Sequence, residues 1–349
     1  MSETRLSDVI LPAIYLAYMQ QKTEEKSRLV GAGVIARDPS LDSLLSGAGL
    51  TFNLPSWQDL ANDSDNVASD NPATTPTHGK IVAGDEIGVR LYRTKSWATM
   101  ALVRALIAED PMAEIGKLTA GFWERRLQTA AIASVQGVFA DNAAAPDASE
   151  HVQNDLTNSI IGGSYSAGVT DFSAEAFIDT VGLMGDSAED LGALVCHSTV
   201  YNRMDKNNLL DTIRDSEGLP IRIFRGRRVI VDDGVPNPAG AGAAATAAGI
   251  YHTWILGQNA FRWGVSFPKN AVATFNDENA GNGSGEEILF NRLNWMIHPT
   301  GHQFIGATPP AGGPSNASTS GNLAHAGSWK RVFPERKQIK IARLITRES

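Results

Sequence analysis

The sequence has one cysteine, Cys196, in 349 residues. A single thiol excludes a disulfide framework and any zinc or iron–sulfur centre built on several cysteines. Charge is sparse too. Asp, Glu, Lys and Arg make up 19% of the chain, against roughly 25% in an ordinary soluble domain. The 30 basic and 38 acidic residues sum to −8, which argues against a dedicated nucleic-acid binder. No apolar run reaches the roughly 20 residues that span a bilayer. Near the start, Val9–Met19 is halted by Gln20, Gln21 and Lys22. Glu3 and Asp8 precede it, where a secretion signal carries positive charge. The expected setting is a reducing cytoplasm, so the sequons at Asn62, Asn282 and Asn316 are read as chance.

What is present is enough to fold. Apolar residues are 42% of the chain, which excludes disorder for most of it and supplies a sizeable core. The length fits two domains or one large elaborated one. Low charge on a chain of this size suggests a surface largely covered by other subunits.

The chain opens on a charged helical pattern over residues 9–30, with Ile10, Ile14 and Tyr18 on one stripe. This predicts either an ordinary packing helix or an arm laid on a neighbouring subunit. Leu50, Phe52 and Leu54 alternate, as do Ile87, Val89 and Leu91, which predicts two strands. Residues 55–86 between them carry Asp59, Asp63, Asp65, Asp70, Asp85 and Glu86 against Lys80, a net of −5. A connection this long is functional or disordered, and two strands joined by it predict a projecting acidic hairpin. Asp110 and Pro111 then open a helix of about 30 residues, roughly 45 Å long, with Trp123, Leu127, Ala131, Val135 and Phe139 at a spacing of four. Short helices and strands alternate over 173–290. Leu191–Cys196 reads as a strand, Ser173 and Ser198 as helix caps, and Arg227–Val231 and Ile250–Leu256 as neighbouring strands. Pro309–Gly321 reads as a linker or surface loop. Residues 330–347 carry seven cationic side chains against Glu335, a net of +6.

Searches for chemistry return no assembled centre. Ser166 in Gly163-Ser-Tyr-Ser-Ala-Gly168 lacks the glycine two before it and a clear preceding strand, both part of a nucleophile elbow. Gly281–Gly285 is not a dinucleotide loop. His298 and His302 have Pro299 and Gly301 between them, which forbids a helical zinc pair. Adjacent Cys196 and His197 point to opposite faces of a strand. Asp232 and Asp233 suit a turn as well as a cation. Arg225, Arg227 and Arg228 could meet phosphate, a neighbour's carboxylates or only solvent at a strand edge.

Several segments in order carry a resemblance. Asp110-Pro-Met, Phe122-Trp-Glu-Arg-Arg-Leu127 and Gly137-Val-Phe139 resemble the spine helix of tailed-bacteriophage major capsid proteins. Leu194-Val-Cys-His-Ser198 through Tyr201, and Asp215-Ser-Glu-Gly218, are similar to the same family. So are Phe224-Arg-Gly-Arg-Arg-Val-Ile-Val-Asp-Asp-Gly-Val-Pro236, Ala280-Gly-Asn-Gly with Arg292, and His298-Pro-Thr-Gly301. The resemblance covers roughly residues 85–302. It implies an α+β fold of the Hong Kong 97 type. Residues 1–45 would form an N-terminal arm and 46–95 an extended hairpin loop. Residues 96–170 and 286–349 would form a peripheral domain with the long spine helix, and 171–285 an axial domain.

The function so implied is structural and needs no catalytic residue, cofactor or metal. Copies would form pentamers and hexamers of an icosahedral shell in the host cytoplasm, the virion capsid. Scaffolding and portal proteins would be partners, packaged double-stranded DNA would be held by weak non-specific contact, and no membrane is involved. With the arm beginning near Met1, a separate scaffolding protein is expected. Subunit contacts are expected at Tyr15, Tyr18, Asp63, Asp65, Asp70, Lys80, Asp85, Glu86, Arg225, Arg227 and Arg228, with the acidic loop meeting basic residues such as the tail of a neighbour. The competing readings are an encapsulin-like compartment and, further off, a hydrolase using Ser166.

Overall fold

A computed structural model describes residue 29 and residues 33–57, 64–81, 83–107, 111–144, 152–162, 165–214, 220–236, 249–307 and 311–348. β1 (Ile35–Arg37) leads into α1 (Pro39–Ser46). Asp38 caps this helix by accepting from the Ser40 N–H, and Pro39 sits in the first turn, where a missing N–H costs nothing. β2 (Thr51–Trp57) and β3 (Ala83–Val89) pair antiparallel. β4 (Leu91–Met100), α2 (Ala101–Ile107) and α3 (Pro111–Ala144) follow. Beyond β5 (Thr157–Ser159) come α4 (Ala174–Gly182), β6 (Leu191–Cys196), α5 (Ser198–Lys206) and β7 (Asp211–Arg214). Next are β8 (Pro220–Phe224), β9 (Arg227–Val231), β10 (Gly249–Gly257), β11 (Phe261–Ser266) and β12 (Val272–Asp277). β13 (Glu286–Pro299), β14 (His302–Phe304), β15 (Trp329–Arg331) and β16 (Ile341–Glu348) complete the order.

Two large sheets result. One has seven strands in the order β5-β16-β10-β6-β9-β8-β7. The other has five and is built around β13, whose first part is flanked by β12 and β4 and whose last part pairs with β11, which in turn pairs with β1. The seven-stranded sheet is covered on both faces, so its central strands are continuously apolar. From β6, Ala193 and Val195 enter one core with Trp254, Leu256 and the buried face of α3. Leu194 and Cys196 enter a second core with Phe177 and Val181 of α4 and Val200 and Met204 of α5. The first core runs on without a break into Phe261, Trp295 and Ile297 of the five-stranded sheet. Leu127, Ala131, Val135 and Phe139 are buried in it as their spacing predicts, and Trp123 packs against it.

The structure corrects two expectations. The hairpin strands reach Trp57 and Ala83, so Asp85 and Glu86 stand on β3 rather than in the connecting loop. Arg227–Val231 and Ile250–Leu256 are not neighbours: β6 lies between them, parallel to β9 and antiparallel to β10. Of the two readings of Pro309–Gly321, the surface loop holds for the residues from 311 on, and it is tied to the body. The Tyr92 N–H donates to Gly312 O at 2.9 Å, and Gly313 presses on the Arg90 carbonyl with no space for a side chain. The two sheets also do not follow the order of the chain. β11 and β12 belong to the five-stranded sheet, whereas β16 fills the seven-stranded sheet between β10 and β5. Its pattern explains this: Ile341, Ala342 and Leu344 alternate between two cores that only an interior strand can reach.

Two predictions follow from this packing. Gly-to-Ala in a helix interior ordinarily stabilises by about 1 kcal/mol. At Gly137 a methyl group would collide with the Leu323 carbonyl and stand 2.5 Å from Trp329 Nε1. Gly137→Ala is therefore expected to destabilise by roughly 1–3 kcal/mol in denaturant unfolding, and a gain in stability would contradict this packing.

The second concerns acid. Burial holds His302 near pKa 3 and His252 near 4, and lowers His298. The folded chain keeps these rings neutral while the unfolded chain takes up protons below about pH 6.5. Their contribution is complete above that pH and is lost as pH falls, by up to about 1.4 kcal/mol per unit for each ring. The unfolding midpoint should fall steadily from pH 7 to pH 5, and a flat profile would refute it.

Candidate assembly surface

The hairpin is fixed at its base and exposed beyond it. Phe52 and Leu54 of β2 are buried with Leu41, Leu45 and Met296. Arg90, just past β3, donates to the carbonyls of Leu45 and Gly47 and lies 5.0 Å over the Phe52 ring. The loop beyond is exposed throughout residues 64–81. Its two limbs are tied together where the Asn66 side chain accepts from the Thr77 N–H at 3.1 Å and donates to its carbonyl at 2.9 Å. Asp65, Asp70 and Lys80 are exposed on this loop, as is Val67, at 87%. Asp85 faces Pro55 in the hairpin register. Tyr15, Tyr18 and Asp63 lie outside the described residues.

Glu86 is not a surface residue. It is 1% exposed, and its carboxylate lies 2.5 Å from His298 Nε2 and 3.0 Å from Arg262 Nη2. The desolvation that would raise its pKa is outweighed, since His298 and Arg262 hold it below the ordinary carboxylate value. The three arginines separate as well. Arg225 and Gly226, both with positive φ, form the two-residue turn between β8 and β9. That leaves Arg225 exposed, and Arg228 is exposed on β9. Arg227 turns inward, donating to the carbonyls of Leu191 and Ala188 at 2.8 and 2.9 Å and lying 5.4 Å over Phe177.

The basic tail is spent within the chain. Arg331 pairs with Asp155 at 2.6 Å, Lys337 with Asp186 at 2.7 Å and Lys340 with Asp190 at 3.2 Å. Arg336 donates to the carbonyls of Asp155, Ile339 and Ile341. Arg343 lies 4.7 Å over Phe139, and Arg347 donates to Ile161 O. Cations used in this way are poor partners for an acidic loop on another copy.

Other sites read from the sequence resolve into local structure. Ser166 begins an exposed turn, its carbonyl accepting from Val169, Thr170 and the Thr170 hydroxyl. His197 caps α5 by accepting from the Thr199 N–H, a role expected of Ser198. Asp232 accepts from Gly234 and Gln128, and Asp233 from Ser198. Among the described residues, no group of three or more His, Cys, Asp or Glu is placed to hold a metal, and no helix is long and apolar enough to cross a membrane.

Reading by charge missed an apolar rim. Phe267, Val272 and Phe275 are exposed at and beside β12, an edge of the five-stranded sheet, and Leu102 and Leu106 are exposed on α2. The available signal was the β-branched and aromatic content of Val272–Phe275 beside the turn-forming Asn276 and Asp277.

No family model matches the sequence. A whole-length relative does. The major capsid protein of Bacillus phage SPP1 is 30% identical over 98% of this chain and 97% of its own length. The chain belongs to the bacteriophage major capsid proteins. Solved capsids share its fold. The Cyanophage Pam1 capsid superposes with a TM-score of 0.53 at 12% identity, over 88% of this chain and 87% of that one. The capsid of Ralstonia phage GP4 gives 0.52 at 10% identity, over 90% and 87%. The fold is thus the α+β Hong Kong 97 type expected from the sequence. A major capsid protein is a structural subunit whose own copies form the icosahedral capsid shell of the virion, not an enzyme.

A capsid subunit with this cysteine cannot be stapled to its neighbours through sulfur while folded. Cys196 is fully buried on β6, and burial pushes its thiol up to about 12. A thiol-specific reagent at pH 8 should label the chain only after denaturation. Prompt labelling of the folded chain would refute the placement.

Proposed function

We propose that the chain forms the pentamers and hexamers of a shell that encloses double-stranded DNA, assembled in the host cytoplasm with scaffolding and portal proteins. Whole-length kinship with a phage major capsid protein carries this reading. The seven-stranded sheet, with α4 and α5, serves as the axial domain. The five-stranded sheet, with α3, serves as the peripheral one. The hairpin is the extended loop, and residues 1–45 are the arm, which adds β1 to the edge of the peripheral sheet. DNA contact is weak and independent of sequence, in keeping with a net charge of −8.

The acidic loop lies across a neighbouring copy. Exposure of residues 64–81 supports this, as does the internal use of the tail's cations, which leaves the loop's charge to be met elsewhere. Asp63, Asp65, Asp70, Lys80 and Asp85 supply contacts from the hairpin, Tyr15 and Tyr18 from the arm, and Arg225 and Arg228 from the β8–β9 turn. Each exposed ion pair is worth at most about 1 kcal/mol, so the contact acts through repetition. Closed shells tolerate small losses per contact only while enough contacts remain.

Reversal of Asp63, Asp65 and Asp70 to Lys changes the loop by six charge units. The triple variant should remain folded by circular dichroism yet form several-fold fewer shells by negative-stain microscopy. Shells in normal number would refute the loop's role in assembly.

A further inference from the structure

β2 and β3 pair only with each other among the described strands. Their angle to the rest of the chain is therefore set by side chains at the base. One attachment is apolar: Phe52 and Leu54 against Leu41, Leu45 and Met296, with Gly88 so close to Met296 that a methyl group there would stand 2.6 Å from Sδ. The other is a buried charge cluster. Glu86 of β3 sits between His298 of β13 and Arg262 of β11, at 2.5 and 3.0 Å. His298 and Arg262 face each other in the sheet register, so one carboxylate clamps two strands to the hairpin. Arg262 also reaches Asp38 at the cap of α1, at 3.6 Å. From β14, buried His302 faces the cluster, with Arg331 of β15 behind it.

The cluster holds in one protonation state. With His298 neutral, its Nε2–H donates to Glu86, and its Nδ1 is buried without a hydrogen-bond partner. A proton arriving on Nδ1 finds no acceptor and places a second cation beside Arg262. A proton on Glu86 removes the charge that holds both partners. Burial lowers the pKa of His298, and His298 and Arg262 outweigh desolvation to lower that of Glu86, so both groups take up protons more readily once the cluster has opened and acid favours the open state.

We propose that Glu86, His298 and Arg262 form an acid-released latch that fixes the hairpin on the five-stranded sheet. Release frees the hairpin to pivot about its apolar attachment while both sheets stay folded. The latch consists of contacts within one chain and does not depend on which neighbour the loop meets.

Hydrogen exchange of the full-length protein as purified tests this, at pH 7.5 and 5.5 and corrected for the intrinsic pH dependence. Residues 51–57 and 83–89 should exchange at least about tenfold faster at the lower pH, while β10 and β16, which open only with the whole fold, stay protected far longer than the hairpin at both values. Glu86→Gln should exchange fast in the hairpin already at pH 7.5, with the pH step gone. Leu54→Ala, which loosens the apolar attachment alone, should speed exchange yet keep the step. A step that survives in Glu86→Gln, a wild-type hairpin indifferent to pH, or β10 and β16 opening together with it would each overturn the latch. Where Glu86→Gln does not fold, the wild-type contrast between hairpin and β10 decides.

Discussion

Burial of α3 between the two sheets is the constraint on which the rest of the molecule depends. A helix of 34 residues is about 51 Å long, far beyond what its own propensity stabilises in water. Its second half is enclosed on most sides. Ala130, Ala131, Ala133, Ser134 and Val138 are buried alongside the larger Val135 and Phe139. Small residues let both sheets and the segment through Leu323 approach closely, and Gly137 marks the tightest point. Phe139 stacks on Trp254 of β10, and Arg343 of β16, the cross-strand partner of Trp254, lies 4.7 Å over the same ring. The helix thus ties the seven-stranded sheet to Trp295 and Ile297 of the five-stranded one in a single core. A subunit joined in this way can pass load from one sheet to the other without a hinge between them.

The same packing accounts for the scarcity of charge. A strand buried on both faces has no place for solvated side chains, and β6, β10 and β16 are such strands. The cations that β16 and its approach do carry are neutralised where they stand, by Asp155, Asp186, Asp190 and main-chain carbonyls. Arg203 does the same from α5, between Asp171 and the penultimate Glu348. The net +6 of the tail and the −5 of residues 55–86 therefore differ in kind. One is internal structure. In the other, Glu86 is buried, whereas Asp65, Asp70 and Lys80 are displayed.

What was legible in the sequence was whatever local physics decides. The spine helix shows in its spacing of four, β6 in its apolar run, and the cap of α4 in Ser173, which accepts from the Ala176 N–H. What was hidden depends on partners far apart in sequence. Nothing near Glu86 announces His298, 212 residues away. Without it a Glu beside an Asp on an acidic segment reads as solvated. Arg227 misleads in the same way, since its acceptors are carbonyls at 188 and 191, which carry no sequence signal. Strand order fails for a related reason: β9 and β10 are adjacent in the chain, but β6 was already in place between them. A composition rich in Pro, Gly and Ser made 309–321 read as a linker or surface loop, whereas Gly312 and Gly313 are held against β4 and the Arg90 carbonyl that precedes it.

The hairpin stands apart from all of this. A two-stranded ribbon alone is marginal in water, and beyond its base this one gains little from the body. Its stability must come from the anchoring cluster at one end and from whatever covers it at the other. Ordering the loop has a conformational cost, and the Asn66–Thr77 tie meets part of it before any neighbour arrives. A loop partly ordered in advance binds with a smaller entropic penalty. On the proposed assembly, its acidic side chains need supply only modest attraction per contact, because each closed ring would repeat that contact at every subunit.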